Sequence, residues 1–232
     1  CGKDASLALD MLDTARNSMV PPFEVSVFPD PAGSFTTAAA MVACTEKTLK
    51  EKFKTNFENK NIIIYGGKGI VGGISAVMCA QNGAKCTIVG YDGIKNVQKK
   101  ADEYKTRYGV NIIPGDGSTD ELNSSYLPEA DIIFCAARAG TQVISMDQLN
   151  KAKNVKILAD VNAVPPAGLE GVGLKDDNNE HPCGGLSIGP LTSGDIKVKT
   201  QYKMFEKMCA TDKPLYLNFD EALKTSREIL NL

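Results

Sequence analysis

Histidine is almost absent from this 232-residue chain, which has only one, His181. A single histidine, without a C-x-x-C pair among the cysteines, cannot supply the ligands of a standard zinc site, so we expect no metal. His181 follows Glu180 and precedes Pro182 in a polar stretch, which predicts a solvated loop residue. A catalytic triad built on histidine has no support in this sequence either.

The chain also lacks a basic excess and long apolar segments. Its 26 lysines and arginines are balanced by 28 acidic residues, which gives a net charge of −2. Proteins that bind nucleic acid are usually more basic, so we expect no nucleic acid partner. No apolar segment reaches the ~20 residues that cross a bilayer, and no signal peptide is visible. We therefore expect a cytoplasmic protein without a membrane partner.

The seven cysteines do not show the pattern of a disulfide framework. Their number is odd, and most lie within apolar stretches such as residues 132–135. Small buried thiols in a reducing compartment are therefore favoured over disulfides. Because the chain opens on Cys1 rather than on methionine, we expect it to be N-terminally incomplete.

Short apolar segments alternate with helical patterns from residue 61 onwards. This alternation predicts an α/β fold with a Rossmann-like, doubly wound parallel sheet. The expected strands are residues 61–65, 85–90, 110–114, 131–136 and 155–160. Upstream, the pattern predicts a helix over 5–19 capped by Asp4, a strand over 23–28 and an alanine-rich helix over 34–53. Downstream, it predicts helices over 196–232 with a break at 212–214.

A glycine loop follows the first of these strands and opens a helix. It reads Gly67, Lys68, Gly69, Ile70, Val71 and Gly72, which is the pattern G-x-G-x-x-G. Gly67 lets the chain turn off the strand, Gly69 lets a pyrophosphate approach the backbone, and Gly72 lets the helix pack against the sheet. The N-terminus of the helix offers N–H groups to the phosphates. The loop predicts a bound dinucleotide, with a ligand-free glycine turn as the alternative.

An acidic residue stands where the cofactor ribose is usually bound. Asp92 comes twenty residues after Gly72, at the end of the second strand. A carboxylate there bonds the ribose hydroxyls of NAD and would repel the additional phosphate of NADP. The nearest bases, Lys95, Lys99 and Lys100, lie one or more helical turns further on. NAD is therefore favoured over NADP, although Asp92 can also be a helix cap.

Four segments together resemble the NAD(P)-dependent methylene-tetrahydromethanopterin dehydrogenases of methylotrophic bacteria. The resemblance covers essentially the whole chain and implies the family's role in one-carbon metabolism. Members oxidise a methylene-pterin to the methenyl form, some also accept methylene-tetrahydrofolate, and they form homo-oligomers, which implies a trimer or hexamer. The segments are residues 23–40, the glycine loop, residues 160–166, and residues 188–191 leading to 196–199.

The resemblance also implies the roles of individual residues. The catalytic lysine falls on Lys197, with Lys199 as the alternative. NADP-specific members carry Arg and Lys in place of Tyr91 and Asp92, which again favours NAD. On the cofactor side, the strand ends place Ala136, Asn162 and Pro165 near the nicotinamide. The expected substrate-binding residues are Asp30, Ser34, Thr36 and Thr37; helix capping is the alternative role for Asp30, Thr36 and Thr37.

The resemblance divides the chain into three parts. Residues 1–56 form a smaller, truncated α/β substrate domain, residues 57–205 bind the dinucleotide, and residues 206–232 pack back towards the substrate domain. Where members read Ser-Asn-Gly-Ser-Asn after the aspartate, this chain has Pro31, Ala32 and Phe35, so we expect altered contacts to the pterin. Two other functions stay open: a methylene-tetrahydrofolate dehydrogenase with cyclohydrolase activity, and a dinucleotide sensor without turnover.

Overall fold

A seven-stranded sheet forms the centre of the molecule, with the strand order β3-β2-β1-β4-β5-β7-β6. The computed structural model describes residue 2 and residues 4–232, so Cys1 lies outside the described residues. All neighbouring strands are parallel except β6 and β7. The strands are β1 Asn61–Tyr65, β2 Lys85–Gly90, β3 Ile113–Asp116, β4 Ile132–Cys135, β5 Ile157–Asp160, β6 Asp177–Glu180 and β7 Leu186–Ile188.

The two faces of the sheet are covered unequally. The long helices α2, α3, α4, α7 and α8 pack with α1 on one face. Short helices and loops cover the other face, where the core is smaller. The helices are α1 Ala5–Ser18, α2 Ser34–Phe53, α3 Ile70–Gln81, α4 Ile94–Tyr108, α5 Asp120–Ser124, α6 Met146–Leu149, α7 Pro190–Cys209 and α8 Phe219–Ile229. No helix among the described residues is both long enough and apolar enough to cross a membrane.

The α2 helix is buried on every side along its middle. Residues 38–43 have no exposed surface, and four of these six are alanine. Their short side chains let α3, α7 and α8 approach the α2 backbone closely, and all three helices pack against it. α2 therefore links residues near the start of the chain to the sheet and to the last two helices.

The expected parallel α/β sheet is confirmed, with differences at its edges. The strand predicted over 23–28 is wrong, because only Val27 forms a bridge, with Tyr216. The β6–β7 hairpin was not predicted, because residues 177–180 are all polar and mostly exposed, as an edge strand allows. α7 begins at Pro190 rather than at 196, because a proline fits the first position of a helix.

The prediction that His181 is a solvated loop residue is wrong. Its side chain is 4% exposed at the tip of the β6–β7 hairpin. Its Nε2 lies 3.0 Å from the Glu170 carbonyl and its Nδ1 3.0 Å from Cys183 Sγ. Burial lowers the pKa of His181, which favours the neutral ring.

Candidate active site

The glycine loop lies at the carboxyl ends of β1 and β4, the point at which the strand order of the sheet reverses. Most of its glycines have no room for a side chain. A Cβ on Gly66, which has φ +78°, would overlap the Ala136 carbonyl, and one on Gly67 would lie 2.5 Å from Ile88 Cγ2. A Cβ on Gly72 would lie 2.7 Å from the Gly66 carbonyl oxygen. Gly66 was not predicted as part of the loop, because the first glycine of the G-x-G-x-x-G pattern is Gly67.

Gly69 differs from its neighbours because no other part of the fold crowds it. Among the described residues, apart from its two chain neighbours, only the Gly66 carbonyl oxygen lies within 4 Å of an added Cβ, at 3.3 Å, and it belongs to the loop itself. Gly69 is the N-cap residue of α3, and no side chain of a described residue caps this helix. The first-turn N–H groups of α3 therefore face open space beside Gly69, where an anion can be bound.

Tyr104 of α4 holds the glycine loop in place through its side chain. Its hydroxyl, buried with the rest of the side chain, donates to the Gly67 carbonyl at 3.3 Å. Gly73, the residue after the motif, faces this ring so closely that a Cβ would overlap the Tyr104 hydroxyl. Gly73 and Tyr104 are not part of the G-x-G-x-x-G pattern, so the sequence contains no signal for this contact.

A cavity of about 700 Å³ opens beside the loop. Four of the residues expected at the cofactor line it, namely Lys68, Gly69, Tyr91 and Ala136. The cavity also contains Arg138, which was not predicted and which has no carboxylate within 4 Å among the described residues. Its remaining lining is Tyr65, Gly66, Val89, Gly90, Gly117, Asn123, Ala137, Thr141, Gln142 and Val143.

Asp92 forms an ion pair with Lys68 of the glycine loop. The Lys68 ammonium lowers the pKa of the Asp92 carboxyl, so this carboxyl is ionised near neutral pH. Asn96 Nδ2 also donates to Asp92 Oδ2, at 3.2 Å. The N-cap residue of α4 is Gly93, with no side-chain cap, so Asp92 is not the cap of this helix.

Two polar side chains organise the loop after β5. Asp160 is buried and accepts hydrogen bonds from the Asn162 and Leu169 amides, at 2.8 and 2.9 Å. Burial raises its pKa, although these amides oppose the shift. The Asn162 side chain accepts from the Gly140 amide at 3.2 Å and donates to the Pro166 carbonyl at 2.8 Å. Asn162 therefore ties the loop after β5 to the loop after β4, and Pro165 lies exposed within the former.

Asp30 makes a dense set of hydrogen bonds at the start of α2. Its Oδ1 accepts from the Phe35 and Thr36 amides at 2.9 and 3.2 Å. Its Oδ2 accepts from Thr36 Oγ1 at 2.7 Å and from Gln201 Nε2 at 2.8 Å. Thr37 Oγ1 donates to the Gly33 carbonyl at 2.7 Å. Asp30, Thr36 and Thr37 thus stabilise the first turn of α2.

The Lys197 side chain, from α7, lies against this turn. An added Cβ on Gly33 would be 3.0 Å from Lys197 Nζ. Lys197 has no carboxylate within 4 Å among the described residues, whereas Lys199 pairs with Asp195 at 2.6 Å. The fold therefore brings Lys197 together with the Asp30 turn and leaves Lys199 on the exposed side of α7.

The departures from the family pattern at this turn have separate consequences. Phe35 has no exposed surface and packs edge-on against Phe219, with ring centroids 5.7 Å apart, so it belongs to the core. Ala32 is exposed and has φ 52° and ψ 28°, a left-handed conformation that alanine rarely adopts.

Replacing Ala32 with glycine should stabilise the protein. Glycine adopts the left-handed conformation without the Cβ clash, which we expect to raise the free energy of unfolding by about 1 kcal/mol. Thermal or urea unfolding of Ala32→Gly measures the gain. Ala38→Gly, in the middle of α2, is the matched control and should destabilise, because that position is helical and buried. A loss of stability in Ala32→Gly would contradict backbone strain at this turn.

Comparison with known proteins identifies the family. Residues 1–32 match the family model described as the N-terminal part of methylene-tetrahydromethanopterin dehydrogenase. Over 229 residues the chain is 43% identical to the NAD(P)-dependent methylenetetrahydromethanopterin dehydrogenase of Methylorubrum extorquens, covering 98% of this chain and 77% of that protein. The bifunctional protein MdtA of the same organism is 27% identical over 228 residues, with the same coverages of 98% and 77%.

Solved structures agree on the fold. Quinate dehydrogenase from Corynebacterium glutamicum, in complex with NAD, aligns with a TM-score of 0.54 at 14% identity over 85% of this chain and 62% of its own. The 5-ketofructose reductase of Gluconobacter sp. strain CHM43 aligns with a TM-score of 0.52 at 17% identity over 99% of this chain and 86% of its own. Both are Rossmann-like enzymes, which agrees with the strand order of the sheet in this chain. The chain is an oxidoreductase that belongs to the NAD(P)-dependent methylenetetrahydromethanopterin dehydrogenase family.

Proposed function

We propose that this protein oxidises methylenetetrahydromethanopterin by transferring a hydride from the methylene carbon to a nicotinamide dinucleotide, which gives the methenyl form. One observation carries the proposal. The match to the dehydrogenase of Methylorubrum extorquens covers 98% of this chain, so it includes both the Asp30 turn and the glycine loop. The proposed hydride transfer needs a bound dinucleotide, and the cavity beside the glycine loop is consistent with one.

The reaction needs positioning more than proton transfer. A methylene carbon between two nitrogens loses hydride readily, because a nitrogen lone pair stabilises the cation that forms. The protein must hold this carbon against the nicotinamide ring and exclude water. This fits a cofactor cavity whose charged lining residues are Lys68 and Arg138.

The geometry of the glycine loop and of the cavity supports one assignment of the residues that would hold the cofactor. The N-terminus of α3, beside Gly69, takes the diphosphate, and Asp92 takes the ribose hydroxyls. The nicotinamide then extends past Ala136 towards the loop that Asn162 supports and that includes Pro165. We infer that NAD is the preferred cofactor, because Asp92 accepts hydrogen bonds from ribose hydroxyls and the adjacent Tyr91 supplies no positive charge.

The pterin lies at the Asp30 turn in this proposal. Asp30, Thr36 and Thr37 shape the turn through their hydrogen bonds. Ser34 Oγ makes no hydrogen bond to a described residue, and Lys197 has no acidic partner among them, so both are available to the pterin. Because Lys197 of α7 lies beside Gly33, the neighbour of Ser34 at the start of α2, the two side chains can contact the same pterin ring.

One assay tests the proposed reaction. NADH formation is followed with methylenetetrahydromethanopterin and methylenetetrahydrofolate side by side, using full-length protein. We expect faster turnover with the methanopterin substrate, and with NAD rather than NADP. Binding of NADH without turnover of either substrate would contradict the proposal and indicate a dinucleotide sensor.

A methylenetetrahydrofolate dehydrogenase with cyclohydrolase activity is the second function that an assay must separate from the first. The MdtA relative, 27% identical, is named a bifunctional protein, and that name does not state the second activity. A dehydrogenase with cyclohydrolase activity would hydrolyse the methenyl product to the formyl form, whereas a dehydrogenase alone would let the methenyl product accumulate. Following the methenyl absorbance after NAD is exhausted distinguishes the two activities.

We also infer that the protein forms a homo-oligomer, a trimer or hexamer as the resemblance implies. Val198, Tyr202 and Phe205 form a stripe on α7 at spacings of four and three residues, with exposures of 46%, 70% and 55%. Such a stripe is typical of an interface. Tyr202→Asp should lower the mass measured by light scattering, whereas Leu122→Asp on α5 should not. An unchanged mass for Tyr202→Asp would contradict this interface.

A further inference from the structure

The charge at the end of β2 is not that of Asp92 alone. The Lys68 ammonium pairs with Asp92 Oδ2, so the two side chains together are close to neutral. A phosphate that approaches this point meets much less repulsion than an isolated carboxylate would exert. Arg138, from the loop after β4, lines the cofactor cavity together with Lys68 and adds a further positive charge there.

The two oxygens of Asp92 have different neighbours. Oδ2 accepts from Lys68 and from Asn96. Oδ1 accepts no hydrogen bond from another described residue, and a Cβ on Gly90 would lie 3.5 Å from it. Gly90 lines the cavity, so Oδ1 is the oxygen that ribose hydroxyls can reach while the ion pair with Lys68 stays intact.

The Lys68 side chain is held at the wall of the cavity rather than in bulk solvent. A Cβ on Gly90 would lie 3.3 Å from Lys68 Cε, and Lys68 Nζ lies 5.6 Å from the centre of the Tyr91 ring. The side chains of Lys68 and Asp92 are 27% and 31% exposed. An ion pair that water reaches is weak, so a phosphate with nearly two negative charges can displace the carboxylate.

We propose that Lys68 determines how well this protein accepts NADP. With NAD, the Lys68–Asp92 pair stays intact and the ribose hydroxyls bond to Asp92 Oδ1. With NADP, the 2′-phosphate replaces the Asp92 carboxylate on the Lys68 ammonium, and Arg138 lowers the remaining repulsion. This inference rests on the proposed cofactor site and deepens it. It assigns the choice between NAD and NADP to a lysine of the glycine loop instead of to a basic residue after β2.

Steady-state kinetics with both cofactors test this role. In Lys68→Met, the kcat/KM for NADP divided by that for NAD should fall by about tenfold or more, since a charged hydrogen bond to the phosphate is lost. Lys95→Met removes the same charge from an exposed position at the start of α4 and is the matched control. An equal fall of the ratio in both variants would overturn the proposal, because it would show a general effect of charge.

Binding without turnover gives a second readout. Calorimetry compares adenosine 2′,5′-bisphosphate with 5′-AMP. Lys68→Met should weaken the bisphosphate by about tenfold and 5′-AMP much less, and Asp92→Asn should strengthen the bisphosphate by freeing Lys68. If Lys68→Met lowered the affinity for both ligands equally, the proposed role of Lys68 would be overturned. The proposed location of the cofactor site would still stand. If wild-type protein bound neither 5′-AMP nor NADH, the proposed cofactor site itself would be wrong.

Discussion

Gly73→Ala should lower the free energy of unfolding by roughly 3 kcal/mol, the largest effect on stability that we expect from one methyl group. The new Cβ would overlap the Tyr104 hydroxyl and lie 2.5 Å from Tyr104 Cζ. The ring cannot move away easily, because it is 2% exposed and packs in the core. Either Tyr104 or the glycine loop must shift, so cofactor binding should weaken as well.

A second glycine in a helix supplies the control for Gly73→Ala. In the part of the chain that the structure describes, no atom outside the local backbone of α7 and the two neighbouring residues lies within 4 Å of a Cβ added to Gly194. Gly194→Ala should therefore raise the free energy of unfolding by about 0.5–1 kcal/mol, which is the difference in helix propensity. Urea unfolding measures both variants. If Gly73→Ala unfolded at the same urea concentration as wild type, the close packing of Tyr104 on the loop would be refuted.

Lys197→Ala should lower kcat/KM for the pterin substrate by about 100-fold, with little change in stability. Lys197 has no acidic partner among the described residues, so its removal leaves no buried charge unpaired. The loss should therefore appear in catalysis and not in the folding equilibrium. The affinity for NADH should also stay near that of wild type, because Lys197 does not line the cofactor cavity.

Lys199→Ala is the matched control for Lys197→Ala, since it removes the same charge two residues further along α7. Its side chain is 55% exposed and paired with Asp195, so we expect kcat/KM to change by less than about twofold. Lys197→Arg tests whether the charge or the amine is needed: recovery of activity would assign an electrostatic role. Equal kcat/KM in Lys197→Ala and wild type would remove Lys197 from the mechanism.

The buried elements of the fold follow from the sequence because their apolar patterns are unambiguous. β1 and α2 have the predicted bounds. β6 could not be predicted, since its four polar residues pair through backbone groups at an edge and bury almost nothing. His181 was misplaced for a different reason: its ring is buried against the segment around Glu170, eleven residues away in the chain, and no local pattern reveals that contact.

The candidate site was predictable where one short motif contains it and not where contacts cross the chain. The spacing of Gly67, Gly69 and Gly72 indicated the loop, but its link to Tyr104 joins residues far apart in sequence. The ion pair between Lys68 and Asp92 was equally invisible, although both residues were singled out. Asp92 was treated as a lone charge, and the fold supplies the neighbouring ammonium.

The burial of α2 among α3, α7 and α8 has a consequence for how the chain folds during synthesis. The helix leaves the ribosome early, yet two of the helices that cover it begin only at Pro190 and Phe219. Until those helices emerge, the apolar middle of α2 stays accessible to chaperones and proteases. A chain that stops before α8 should therefore be degraded rapidly even though its glycine loop is complete, because α2 packs against a helix that is missing.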